Sequence, residues 1–201
     1  MAQLWNNLSV CVSAVAPRLL LSSNRLMAEE GQNIPIACSA TGQPQPNITW
    51  SKLNGGLPHR TVVKNGSFKI SNVKRKDGGT YVCKVKNSLG TAEGAVQMMI
   101  HSRLRFVVRP PNQLNPVAGF PVRLSCEAES DLNPTVTWLK DRKPSLPVDT
   151  KILQNNTLVI SSVKKSHAGT YVCRASNALT TIEASVKILT PVIPSPSCSV
   201  I

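Results

Sequence analysis

Aromatic residues are scarce: three Trp, two Tyr and three Phe among 201 residues. A core can still be built, but each ring must carry much of it. Acidic residues are also few, 10 Asp plus Glu against 23 Lys plus Arg, for a formal net charge of +13. Charged residues total 16%, too few for a disordered polyampholyte or a long coiled coil. No run of about 18 uninterrupted apolar residues occurs, so no helix of this sequence spans a membrane. The longest candidate, Leu8 to Leu21, is broken by Pro17 and Arg18. Convergent chemistry is missing as well. His59, His101 and His167 fall in a loop, a linker and a turn, read as solvated positions, and none has metal-ligand spacing with another His or Cys. No Walker-type loop, nucleophile elbow or zinc-protease motif appears. The sequence therefore predicts no enzyme, no cofactor and no metal site. Nucleic-acid binding lacks a reading helix and an aromatic platform.

What the chain does contain is a long internal repeat. Cys38 and Trp50 return as Cys126 and Trp138 at an offset of 88, and Tyr81 and Cys83 return as Tyr171 and Cys173 at an offset of 90. The words around them are copied too: Ile70-Ser-Asn-Val-Lys74 becomes Ile160-Ser-Ser-Val-Lys164, and Gly79-Thr-Tyr-Val-Cys83 becomes Gly169-Thr-Tyr-Val-Cys173. Two homologous domains follow, 18–101 and 102–190, after an N-terminal segment 1–17 and before a Pro-rich spacer 191–201. Gln97 to Val108 contains neither Gly nor Pro, which predicts a last strand running directly into a first strand and an extended arrangement.

Within each copy the period is two. Ile34, Ile36 and Cys38 alternate with Pro35, Ala37 and Ser39, as Val122, Leu124 and Cys126 alternate with Arg123, Ser125 and Glu127. One face of each strand is thereby apolar. Breakers recur every 8–12 residues, among them Asn65-Gly66 and Asp77 to Gly79. The fold class is all-β, a sandwich of two antiparallel sheets in each copy.

The order and spacing of Cys38, Trp50 and Cys83, and of Cys126, Trp138 and Cys173, resemble tandem immunoglobulin-like domains of the I-set. That resemblance implies Cys38–Cys83 and Cys126–Cys173 disulfides joining the two sheets of each sandwich, with Trp50 and Trp138 packed beside them. Tyr81 and Tyr171, two residues before the second Cys, match the tyrosine corner, whose hydroxyl bonds back to the backbone. Asp77-x-Gly79-x-Tyr81-x-Cys83 is similar to the I-set's hallmark run. Copy two departs from it: His167 stands where Asp is expected and Thr180 where Gly is expected. The family's Asp pairs with a basic side chain, so the resemblance predicts that domain two lacks this pair, and that His167→Asp would stabilise it modestly. Similar paired domains occur in hemicentin-like and peroxidasin-like matrix proteins, guidance receptors and neural adhesion molecules.

Two buried disulfides imply an oxidising compartment, so the chain is expected to be secreted or on the cell surface. The sequons at Asn7, Asn47, Asn65 and Asn155 are candidate glycosylation sites. Residues 8–16 resemble the apolar part of a signal peptide ending at Ala14-Val-Ala16, although no Lys or Arg precedes the run. Cys11 and Cys198 are left over, and Cys198 reads as the opening of a further module.

The positive charge offers one candidate site. Domain one carries 11 basic residues against 4 acids. Lys74, Arg75 and Lys76 lie on one turn, Lys84 and Lys86 point outward from the next strand, and Lys69 points outward from the preceding one. Lys74, Arg75, Lys76 and Lys84 form the core of a candidate patch for a heparan-sulfate-like polyanion. The functional expectation is recognition of a cell-surface or matrix protein, homophilic or heterophilic, in adhesion or matrix organisation. Two alternatives remain: a ligand-binding ectodomain segment of a guidance or growth-factor receptor, and a non-catalytic targeting segment of a matrix enzyme.

Overall fold

A computed structural model describes residues 13–193. Asn7, Cys11 and Cys198 lie outside the described residues. The chain forms two compact units that divide between Ile100 and His101.

Unit one holds β1 (Val15–Leu21), β2 (Arg25–Glu29), β3 (Ile34–Gln43), β4 (Asn47–Lys52), β5 (Thr61–Lys64), β6 (Ser67–Ile70), β7 (Gly79–Asn87) and β8 (Gly90–His101). They make two four-stranded sheets, ordered β1-β3-β6-β5 and β2-β8-β7-β4. The alternation seen in the sequence is the reason they stack. Ile34, Ile36 and Cys38 of β3 are buried, as are Phe68 and Ile70 of β6, Tyr81, Cys83 and Val85 of β7, and Val96 and Met98 of β8. These inward rows interleave between the sheets, while Lys84 and Lys86 take the outward positions of β7.

Unit two repeats the plan with β9 (Arg105–Val108), β10 (Gln113–Leu114), β11 (Val122–Leu124), β12 (Glu127–Glu129), β13 (Thr135–Lys140), β14 (Thr150–Ile152), β15 (Leu158–Ile160), β16 (Gly169–Ser176) and β17 (Thr181–Ile188). One sheet runs β10-β17-β16-β13, with β10 parallel to β17, and β11-β15-β14 packs opposite it. What is one long strand in unit one, β3, is split here into β11 and β12, with Cys126 between them. Its core is the same set of positions: Val122, Leu124, Trp138, Leu158, Ile160, Tyr171 and Val186 are all buried.

In each unit a disulfide crosses between the sheets. Cys38–Cys83 and Cys126–Cys173 each hold their Cα atoms 6.5 Å apart and close loops of 45 and 47 residues. Loops of that length correspond to roughly 4 kcal/mol of stabilisation in the chain-entropy picture.

Candidate functional site

The tryptophans anchor a hairpin as well as a core. Trp50 Nε1 donates to the Gly66 carbonyl at 2.9 Å, and Trp138 Nε1 donates to the Asn156 carbonyl at 2.7 Å. Both acceptors sit in turns with positive φ, +78° at Gly66 and +61° at Asn156. In unit one the ring meets Phe68 edge-on at 4.5 Å, and Phe68 stacks on Tyr81 at 5.2 Å.

The turn before β7 joins the two sheets electrostatically. Arg60 Nη2 donates to Asp77 Oδ2 at 2.6 Å, and the Lys74 backbone N–H donates to the same oxygen at 2.8 Å. Asp77 is buried while Arg60 keeps one edge in water. In unit two this arrangement is turned around. His167 Nδ1 accepts the Lys164 backbone N–H at 2.9 Å, so the ring proton is on Nε2, which donates to Asp149 Oδ1 at 2.7 Å. Lys164 Nζ donates to Asp149 Oδ2 at 3.0 Å. Thr61 and Thr150 occupy matching register positions, opposite Ile70 and Ile160, which aligns Arg60 with Asp149. Two expectations are thereby corrected. Domain two does join the same two elements, but through a hydrogen bond from a neutral His167 ring and an ion pair from Lys164, both to Asp149 on the opposite element. His167 is fully buried rather than solvated, because its ring fills the slot that the Asp77 carboxylate fills in unit one. The hydrogen bonds from His167 and then Lys164 hold Asp149 down at about 2.

The tyrosine corner forms once. Tyr81 donates its hydroxyl to the Asp77 carbonyl at 2.6 Å. The Tyr171 hydroxyl is buried without a hydrogen-bond partner among the described residues. The carbonyl it would reach belongs to His167, the residue that this copy replaces. Burial pushes both phenols up to about 12, reinforced by Asp77 for Tyr81 and by Asp141 and Asp149 for Tyr171. Each ring also faces a lysine: Lys52 Nζ is 5.5 Å from the Tyr81 centroid and Lys140 Nζ 5.8 Å from that of Tyr171.

Asn47, Asn65 and Asn155 are all exposed. Asn47 projects from the outer face of β4 beside Lys86 of β7, and Asn65 stands at the tip of the β5–β6 turn. Asn155 differs, since its Oδ1 accepts the Thr157 N–H at 3.3 Å and Thr157 itself is buried.

The basic residues do not form one cluster. Lys74 to Lys76 occupy the short turn before β7, and Lys52 joins them by donating Nζ to the Lys76 carbonyl at 3.0 Å. Lys84 lies five residues along β7 from Gly79, about 17 Å at strand rise. Its ammonium is paired with Glu93 of β8 at 2.7 Å. Lys69 belongs to β6 in the opposite sheet, and Lys86 lies further along β7 than Lys84. Lys52 is the member that sequence reasoning missed. Its register opposite Tyr81, the third residue of the strand that follows the basic turn, is the signal that could have found it.

This frame matches the protein-family model described as "Immunoglobulin domain" twice, over residues 16–87 and 105–177. Contactin-5 of Rattus norvegicus is 33% identical over 163 residues, covering 80% of this chain and 15% of that protein. The Neuronal cell adhesion molecule of Rattus norvegicus is 34% identical over 200 residues, covering 95% of this chain and 16% of that protein. The chain thus spans about a sixth of the length of these curated relatives. Among solved structures, extracellular domains 3–5 of Drosophila OTK superpose with a TM-score of 0.71 at 24% identity, covering 89% of this chain and 62% of that one. Two sandwiches, two sheet-crossing disulfides and two family matches lead to one conclusion: the chain belongs to the immunoglobulin domain family, with two such domains in tandem.

Proposed function

We propose that the chain is a non-catalytic recognition segment of an extracellular protein, acting in adhesion or matrix organisation through contacts with cell-surface or matrix proteins. The observation that carries this reading is the pair of disulfide-crossed sandwiches. It belongs with an oxidising compartment, and the relatives named above include a cell adhesion molecule. The sandwiches present broad sheet faces, a geometry suited to protein surfaces. Beads coated with the secreted chain test it. Bead–bead aggregation indicates homophilic contact, and capture on immobilised cells or matrix indicates a heterophilic partner. Neither response exceeding that of reduced, unfolded chain would overturn the reading.

A second reading has a specific observation in its favour. Lys52, Lys74, Arg75 and Lys76 surround one exposed turn at the end of unit one, a concentration of charge suited to a sulfated polysaccharide. Retention on heparin that falls when residues 74–76 become Ser, and not when Lys140, Arg142 and Lys143 do, would support it. Equal losses would mark diffuse attraction by the net charge alone.

A further inference from the structure

The turn between β10 and β11 is built on the same hydrogen bonds as its counterpart in unit one, with opposite chemistry. Gly119 N donates to the Val163 carbonyl and Val163 N to the Phe120 carbonyl, both at 3.0 Å; Gly31 donates to Val73 at 2.8 Å and Val73 to Gln32 at 2.9 Å. Phe120 N donates to Val117 as Gln32 N donates to Glu29, each at 3.2 Å. The backbone frame thus equates Glu29-Glu30-Gly31-Gln32 with Val117-Ala118-Gly119-Phe120. The frame itself makes no demand for apolar side chains, since unit one builds it with polar ones. Yet Phe120, one of only eight aromatic residues, is 60% exposed, and Val117 is 40% exposed. Phe120 and Val117 line one groove, so the exposed apolar surface is a contiguous patch rather than a scattered single residue, and such a patch marks a contact surface.

These residues line a groove of about 540 Å³ with Leu114, Pro116 and Arg123. The volume lies within the ordinary range for a binding pocket. Its walls are apolar apart from Arg123, which has no carboxylate partner among the described residues. Lys151 lies in the same cross-strand row as Arg123, with Val159 of β15 between them, so the flank of the groove is cationic. At a strand spacing of about 4.8 Å, their backbones stand about 10 Å apart.

We propose that this groove binds an extended segment of a partner protein that inserts an apolar side chain beside Phe120 and sets a carboxylate against Arg123. An apolar floor with a single unneutralised guanidinium at its rim selects for that pairing, because a neutral apolar segment leaves the cation unanswered and a basic one is repelled. The proposal rests on the recognition reading, yet the two fail separately. Bead or cell capture that survives Phe120→Gln counts against the groove and leaves recognition standing.

The test uses the full chain and two labelled synthetic peptides, one alternating Asp with Leu and Phe, the other with every Asp replaced by Lys. The acidic peptide should bind saturably, at least about tenfold more tightly than the basic one, a step of about 1.4 kcal/mol. Phe120→Gln, which installs the residue that unit one carries, should weaken it about tenfold or more. Arg123→Glu should reverse the order of the two peptides, and Leu20→Gln, at an exposed apolar position of unit one, should change nothing. Unchanged unfolding midpoints confirm that the variants fold. Absent or non-saturable binding, or binding indifferent to Phe120→Gln, overturns the proposal. So does self-association of the chain that Phe120→Gln abolishes, which would make a second copy the occupant. Binding that appears only after removal of residues 194–201 would make the chain's own end the occupant, and overturns it equally.

Discussion

Asp149 and His167 reproduce, with acid and base exchanged, the contact that Arg60 and Asp77 make in the other unit. The carboxylate lies 2.7 Å from the imidazole in one and 2.6 Å from the guanidinium in the other. Either orientation ties the turn before the last strand pair to the strand opposite. In unit one a carboxylate is buried and held by a partly exposed guanidinium; in unit two a neutral imidazole is buried and held by a partly exposed carboxylate.

His167→Asp is therefore expected to destabilise unit two, because it sets a second carboxylate against Asp149. The unfolding midpoint of that unit should drop by about 5 °C or more, a shift of roughly one kcal/mol for a domain of this size. The double change Asp149→Arg with His167→Asp, which copies unit one, should recover most of the loss. Stabilisation by the single change would show that the exchanged pair does not form.

Tyr81→Phe and Tyr171→Phe should separate. The first strips the Asp77 carbonyl of its 2.6 Å donor and is expected to cost about 0.5–1.5 kcal/mol. The second removes a buried hydroxyl with no partner among the described residues and should be neutral or slightly stabilising. Denaturant unfolding of the two variants measures this directly. Equal costs would place a partner on Tyr171.

Gly66→Ala should be among the more damaging single changes in unit one. At φ +78° an added Cβ would press on the Cys38 carbonyl and lie 2.7 Å from Ile48 Cδ1, and the same turn supplies the acceptor for Trp50. A loss of about 1–3 kcal/mol is expected, read from the unfolding of unit one. A loss below about 0.5 kcal/mol would show that the turn has room to move.

Asp149 also predicts an acid response. Its carboxyl titrates at about 2 when folded, below its ordinary value of 3.8. A depressed value stabilises the fold above the unfolded value, and that contribution is lost as pH falls toward 2. Between pH 5 and 2, unit two should lose more stability in the parent chain than in an Asp149→Asn variant. Parallel acid limbs would contradict the pairing.

The sheets, the disulfide partners and the Trp and Tyr core were legible because each is written as spacing: period two along a strand, and Cys, Trp, Tyr and Cys at repeated offsets. What stayed hidden depended on register across the fold. Asp149 lies 18 residues before His167, and only the pairing of β14 with β15 brings it to the turn. Aligning Arg60 with Asp149 would have shown the exchange of charge. Lys84 looked free in the sequence because its partner Glu93 is fixed by the β7–β8 register. The apolar turn at Val117–Phe120 has no periodicity to betray it; only comparison with Glu29–Gln32 in the other copy does.

Non-reducing peptide mapping of the chain recovered from a secretory host shows whether each sandwich is pinned across its own sheets. Two cross-linked peptide pairs are expected, Cys38 with Cys83 and Cys126 with Cys173. Any bridge between the two units, or either pair recovered as free thiols in the folded secreted chain, would contradict this pairing.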